Sequence, residues 1–217
     1  MKILHVCCSP RGQTSASHAL AQKIIDHLLQ IAPAATLTNR VVGDGSIPPV
    51  DSNYAVALGS MEPTVEETSE DGSIPLSETL IQELENADVV VIGTPMHNFT
   101  VPSTLKAWID HIVRVRRTFD VTPQGKVALL RDRPIFFAVA SGGRYSGDHA
   151  RQPDFFTPYL KAILATIGLH DLAFFSVEGT ALGPDAIVEA NARTDRALKD
   201  YFLSSAAGHL LSVDAFA

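Results

Sequence analysis

Only two cysteines occur in the 217 residues, and they are adjacent, Cys7 and Cys8. Neighbours on an extended strand point to opposite faces and cannot join in an unstrained disulfide. A disulfide framework is therefore excluded, and both thiols are expected reduced within a buried strand. Charge is also scarce: Asp, Glu, Lys and Arg make up 19% of the chain, against about 25% in an ordinary soluble domain. The balance is −7, from 24 acidic and 17 basic side chains, which removes any general attraction to nucleic acid or anionic membranes. No apolar run approaches the roughly 20 residues needed to span a bilayer. The stretch Met1–Cys8 carries one charged side chain and lacks the apolar length and cleavage site of a secretory signal, so the chain is expected to remain in the cytoplasm.

Several motifs are missing. There is no G-x-G-x-x-G fingerprint and no G-x-x-x-x-G-K-[ST] loop, which argues against a pyrophosphate hugging the backbone and against nucleotide hydrolysis. The run Gly143-Arg144-Tyr145-Ser146-Gly147 lacks the spacing of a G-x-S-x-G hydrolase elbow. A phosphatase loop of the form C-x-x-x-x-x-R fails, because the sixth residue is Gln13 after Cys7 and Thr14 after Cys8. No His-Glu-x-x-His or spaced cysteine pair occurs, so no metal site is expected.

What is present is a large apolar content, 46%, enough to exclude disorder and to fill one core without staples. Ile3–Cys8, Val89–Gly93, Ile135–Ala140 and Ala173–Val177 are apolar runs without polar alternation, the pattern of strands covered on both faces. Leu37–Val42 is more polar and is expected at an edge. Helical stripes lie between them: Leu20, Ile24, Leu28 and Ile31; Leu105, Trp108, Ile109 and Ile112; Phe156, Leu160, Ile163 and Ile167. Shorter support falls on Glu78 to Glu85, and a last helix is predicted from Pro184 to Phe202. Strands alternating with helices imply parallel βαβ units and an α/β three-layer sandwich. Residues 1–205 read as one domain, with an excursion at about 43–75 that carries a short helix near Tyr54–Leu58; residues 206–217 read as a tail.

Open sheets of this kind bind ligands at the carboxyl ends of their strands. The loop after the first strand, Ser9-Pro10-Arg11-Gly12-Gln13-Thr14-Ser15-Ala16-Ser17, has four hydroxyl side chains and a guanidinium before a helix N-terminus. Such a loop suits a terminal monophosphate, although Ser15 or Ser17 would also serve as an ordinary helix cap. The loop Gly93 to Pro102 is stiffened by Pro95 and Pro102. Met96, His97 and Phe99 offer a surface for a flat ring, and Asn98 offers a donor and an acceptor for an imide-like edge. Ala140-Ser141-Gly142-Gly143 brings paired glycines and unshielded N–H groups. Together the loops describe one pocket, for phosphate at one end and a planar heterocycle at the other.

These residues resemble a family: the FMN-dependent NADH azoreductases and NAD(P)H quinone oxidoreductases, of flavodoxin-like fold. The resemblance runs from Ile3 to about Phe202. It is carried by Pro95-Met96-His97-Asn98-Phe99, Pro102, Leu105-Lys106, Asp110 and Thr118-Phe119, with Ser9, Ser15-Ala16-Ser17, Gly142-Gly143 and Glu178-Gly179 in support. It implies a five-stranded parallel sheet in the order 2-1-3-4-5, non-covalent FMN, and a homodimer with active sites at the interface. It also implies ping-pong hydride transfer from NADH or NADPH to a small-molecule acceptor, a quinone or azo compound. The implied FMN-binding residues are Ser9, Arg11, Ser15, Ala16, Ser17, Pro95, Met96, His97, Asn98, Phe99, Ala140, Ser141, Gly142 and Gly143. Asn98 would fix the ring edge near N5, and His97 would be a proton donor. Phe119, Tyr145, Arg116 and Arg117 would form the substrate rim.

The chain departs from the family's pattern in places. His97 stands where Tyr or Trp is usual, Ser141 where Arg is common, and Arg116-Arg117-Thr118-Phe119 and Arg131-Asp132-Arg133-Pro134 where glycine-containing turns are usual. Arg114, Arg116 and Arg117 read either as a solvated helix end or as a basic patch for a 2′-phosphate or an anionic substrate. The altered rim leaves room for a same-fold flavoenzyme in a dedicated biosynthetic redox step. A non-enzymatic flavin-binding or electron-carrier module is the third reading.

Overall fold

The computed structural model describes residues 1–59 and 72–204. Five parallel strands form the central sheet: β1 (Lys2–Cys7), β2 (Thr36–Val41), β3 (Val89–Pro95), β6 (Ile135–Ser141) and β7 (Leu172–Glu178). They lie in the order β2-β1-β3-β6-β7, which is 2-1-3-4-5 counted within the sheet. The polar strand β2 is at one edge, and β1, β3 and β6 are central. The helices are α1 (Ala16–Ile31), α2 (Ser52–Gly59), α3 (Ser73–Asn86), α4 (Ser103–Ile112), α5 (Phe156–Ala165) and α6 (Pro184–Leu203). The period of two along each strand divides the core. Leu4, Val6, Val90, Ile92, Phe137 and Val139 pack against α3, α4 and α5. Ile3, Val89, Val91, Phe136 and Ala138 pack against α1 and α6 on the opposite face.

The excursion does carry a short helix, α2, and α3 begins at Ser73, five residues before the expected Glu78. Its start is tied down from a distance: Asp51 accepts the Ser73 N–H at 2.9 Å, and the Asp51 N–H donates to the Ser73 hydroxyl at 3.1 Å. The expected tail and residues 60–71 of the excursion lie outside the described residues. One feature was not expected, an antiparallel hairpin of β4 (Phe119–Thr122) and β5 (Gly125–Ala128).

Arg133 explains one departure in the sequence. It is only 5% exposed, and its guanidinium donates to the carbonyls of Leu84, Glu85 and Ala87. Those carbonyls close α3, and helix ends leave such groups without intrahelical partners. Arg133 is thus the C-terminal cap of a neighbouring helix.

Candidate active site

The loops leaving β1, β3 and β6 border a cleft of about 530 Å³, within the range of small-molecule sites. After β1 the chain makes one 3-10 turn, Gly12–Thr14, and enters α1. Ser15 caps that helix: its hydroxyl accepts the His18 N–H at 3.2 Å and donates to the Gly12 carbonyl at 2.8 Å. Ser17 is 1% exposed, and among the described residues its hydroxyl has one hydrogen bond, a long 3.4 Å contact with Ser15. A buried hydroxyl so weakly satisfied beside free helix N–H groups is a donor set for an anion. The loop is braced from β2. The N–H groups of Val42 and Gly43 both donate to the Cys7 carbonyl at 2.9 Å, and a Cβ on Gly43 would collide with the Ser9 carbonyl. Glycine is required there for close approach.

In the second loop Met96 donates its N–H to the Ala140 carbonyl at 2.8 Å. His97 and Thr100 exchange backbone hydrogen bonds of 3.0 and 2.9 Å. Asn98 and Phe99 are therefore the central pair of a two-residue turn, with φ of 49° and 69°. Asparagine tolerates that region; an aromatic residue there is held under strain by its surroundings. The Phe99 carbonyl accepts the Phe155 N–H at 3.1 Å, which holds the turn in place. His97, Asn98 and Phe99 are all exposed.

The third loop is pinned by β7 and the turn that follows it. The carbonyls of Ser141, Gly142 and Gly143 accept the N–H groups of Thr180, Ala181 and Gly179 at 3.0 to 3.2 Å. Glu178, 3% exposed, accepts the Tyr145 and Ser146 N–H groups at 2.8 and 3.2 Å and the Ser146 and Ser176 hydroxyls. The loop thus uses carbonyls, not its glycine N–H groups, to fix itself.

Ser9, Arg11, Ser15, Ala16 and Ser17 line the cleft with Pro95, Met96, His97, Ala140 and Gly142. Asn98, Phe99, Ser141 and Gly143 do not line it, although each adjoins or nearly adjoins a residue that does. Gln13 and Thr14 of the first loop also line it, as do Thr180 and Ile187, which the sequence reading does not include. The last two follow β7, and the strand-end rule applied to that strand would have found them. No carboxylate lines it among the described residues.

The expected rim is not assembled here. Phe119 is 9% exposed and packs into the core, with Tyr145 against the same cluster. Burial raises the Tyr145 phenol's pKa well above its ordinary value. The Arg116 guanidinium donates to the Ala57 carbonyl at 3.0 Å. Arg117 grips Glu85 with two 2.7 Å bonds and also binds Glu78, which Arg114 shares. Hydrogen bonds from Arg117 first, then Gln82 and Arg114, pull the Glu78 carboxyl down to about 2. Neither a solvated helix end nor a free basic patch describes Arg114 and Arg117, which are paired with acids on α3.

The donor set fits FMN: hydroxyls, Arg11 and a helix N-terminus at one end, and Pro95-Met96 facing Ala140 and Gly142 at the other. A profile described as flavodoxin-like fold matches residues 1–202. The FMN-dependent NADH:quinone oxidoreductase 4 of Pseudomonas fluorescens is 45% identical over 85% of this chain and 87% of its own length. The FMN-dependent NADH:quinone oxidoreductase 5 of Burkholderia lata is 44% identical over 87% of this chain and 89% of its own. Among solved structures, an FMN-dependent NADH-azoreductase from Bacillus anthracis, in complex with FMN, superposes with a TM-score of 0.73 at 26% identity, covering 92% of this chain and 98% of that one. Fold, cleft and relatives agree: the chain belongs to the flavodoxin-like family of FMN-dependent NADH:quinone oxidoreductases and azoreductases.

Proposed function

We propose that this chain is an FMN-dependent NADH:quinone oxidoreductase that also accepts azo compounds, working by a ping-pong mechanism as a homodimer in the cytoplasm. The observation that carries this reading is the buried Ser17 hydroxyl, nearly without a partner, beside the N-terminus of α1 in a cleft whose other end is lined by Pro95, Met96, Ala140 and Gly142. FMN, when bound, supplies hydride acceptance from NADH and two-electron delivery to the acceptor.

The protein's part is position and electrostatics. Ser9, Ser17 and Arg11 would hold the phosphate, and Ser15, its proton given to the Gly12 carbonyl, would fix the helix N-terminus that faces it. Pro95, Met96 and His97, with Ala140 and Gly142 beside them from the neighbouring strand, would support the ring. The N–H groups of Gly142, in the lining, and of Gly143 beside it would stabilise negative charge on the bound ring. Asn98, on the turn beside the lining, would orient the ring edge, and His97 would hold a proton for the acceptor as it is reduced. NADH is favoured as donor because Arg114 and Arg117 are paired with Glu78 and Glu85, so they are poor ligands for a 2′-phosphate. The homodimer is supported by apolar side chains left exposed, Phe99 and Phe155 beside the cleft and Val121 and Val127 on the hairpin. A second protomer over them would complete the rim.

The test is initial-rate kinetics with NADH and a benzoquinone. Parallel double-reciprocal lines are expected as both are varied. Intersecting lines would reject the ping-pong order, and an absence of NADH oxidation with quinone and azo dye would reject the activity.

A further inference from the structure

His5 is an anomaly in the middle of a core strand. It is 0% exposed, and the period of two turns it and Cys7 to the sheet face that carries α1. His18 stands in the first turn of that helix, and the His5 and His18 ring centroids are 5.5 Å apart. The result is the one group of three metal-ligating side chains found among the described residues: a nitrogen of His5, the Cys7 sulfur and a nitrogen of His18 lie within 4.8 Å of one another. We propose that His5, Cys7 and His18 form a binding site for a thiophilic divalent cation of the zinc class, separate from the cofactor cleft, whose lining includes none of the three.

The distances suit the chemistry. Zinc takes sulfur at about 2.3 Å and imidazole nitrogen at about 2.0–2.1 Å, which in a tetrahedral site sets S and N roughly 3.5 Å apart. The Cys7 sulfur lies 3.4 Å from His5 Nε2. It is also 3.6 Å from Nδ1, so the sulfur lies off the Nε2 lone-pair direction, and coordination needs a substantial rotation of the imidazole about its Cβ–Cγ bond, with the Asn39 amide following Nδ1. His18, only partly buried, has the freedom to close the remaining gap. His5 is prepared as a neutral ligand. Its Nδ1 meets the Asn39 side-chain oxygen at 3.0 Å; an oxygen acceptor there puts the proton on Nδ1 and the lone pair on Nε2. Burial, the largest influence, also lowers the imidazole's proton affinity. Coordination converts the Cys7 thiol to a thiolate, and its proton leaves to solvent. With Cys7 and His18 partly exposed, the ion has a way in. Three ligands leave the fourth position to water.

The experiment uses the FMN-loaded protein, freed of metal by chelation, and titrates Zn²⁺ alone by calorimetry. One site per chain is expected, lost or weakened at least tenfold in Cys7→Ser and in His18→Asn. Asn39→Ala should weaken it about 10- to 100-fold, the usual cost of removing an orienting partner. Retained flavin absorbance shows that each variant is folded. Co²⁺ difference spectra should contain a sulfur-to-cobalt charge-transfer band that Cys7→Ser abolishes. No Zn²⁺ binding by the parent protein, or binding that survives both Cys7→Ser and His18→Asn, would overturn the site. None of these readouts depends on turnover, so they stand apart from the oxidoreductase assignment.

Discussion

Replacing Ser17 by alanine removes one oxygen from the floor of the cleft and little else. That hydroxyl is 1% exposed, and its hydrogen bond to Ser15 is 3.4 Å long, so the empty protein should lose less than about 1 kcal/mol. For a chain of this size that is a fall in Tm of about 3 °C or less. Against a phosphate the same oxygen makes a hydrogen bond to a charged group, worth about 1.5–3 kcal/mol. The Kd for FMN should therefore rise about 10- to 150-fold. Fluorescence titration of the cofactor-free protein measures this directly, and riboflavin, which lacks the phosphate, is the control. Its affinity should be weak in both proteins and unchanged by the substitution. An equal loss for FMN and riboflavin would show that Ser17 serves the shape of the cleft. No loss for FMN would remove the phosphate from this end of it.

Three further outcomes follow from the packing. Gly43→Ala drives a Cβ into the Ser9 carbonyl; stability should fall by about 1–3 kcal/mol in urea, with FMN affinity falling alongside. Arg133→Ala removes the guanidinium from three carbonyls at the end of α3, of which only Leu84 keeps another donor among the described residues, the Ala87 N–H, and should cost on the order of 3 kcal/mol. Arg133→Lys should restore only part of that, since an ammonium lacks the planar fork. Glu78 titrates near 2, below its ordinary 4.5, so its contribution is complete above about pH 4.5 and lost as pH falls toward 2. Its side chain is 34% exposed, and with solvent screening the contribution is about 1 kcal/mol. Glu78→Gln should destabilise by that amount at pH 7 and by much less at pH 3, measured by urea unfolding at both.

Much of this was legible because its signals are local. Ile3–Cys8, Val89–Gly93 and Ile135–Ala140 are apolar throughout, which only a doubly covered strand requires, and the register differs from them by a residue or two. The cleft followed from a topological rule that names the loops before any residue is considered. The hairpin was not legible: β5 is exposed along its whole length and carries no apolar face to announce a strand. Nor were the long-range pairs. Arg117 and Glu78 are 39 residues apart, and nothing in either neighbourhood marks the other, so the arginines read as a free patch. His5, Cys7 and His18 escaped because their ligands come from a strand and the helix that crosses it. Metal motifs readable from spacing place neighbouring ligands on one element.

In the proposed reaction the cleft, through its cofactor, passes the electrons of NADH to a quinone. The most direct measurement is anaerobic rapid mixing of the FMN-loaded protein with one equivalent of NADH, followed by one equivalent of a benzoquinone. Bleaching of the flavin absorbance by the first and its full return on the second is the expected result. A flavin that binds tightly yet stays oxidised in excess NADH would contradict the account.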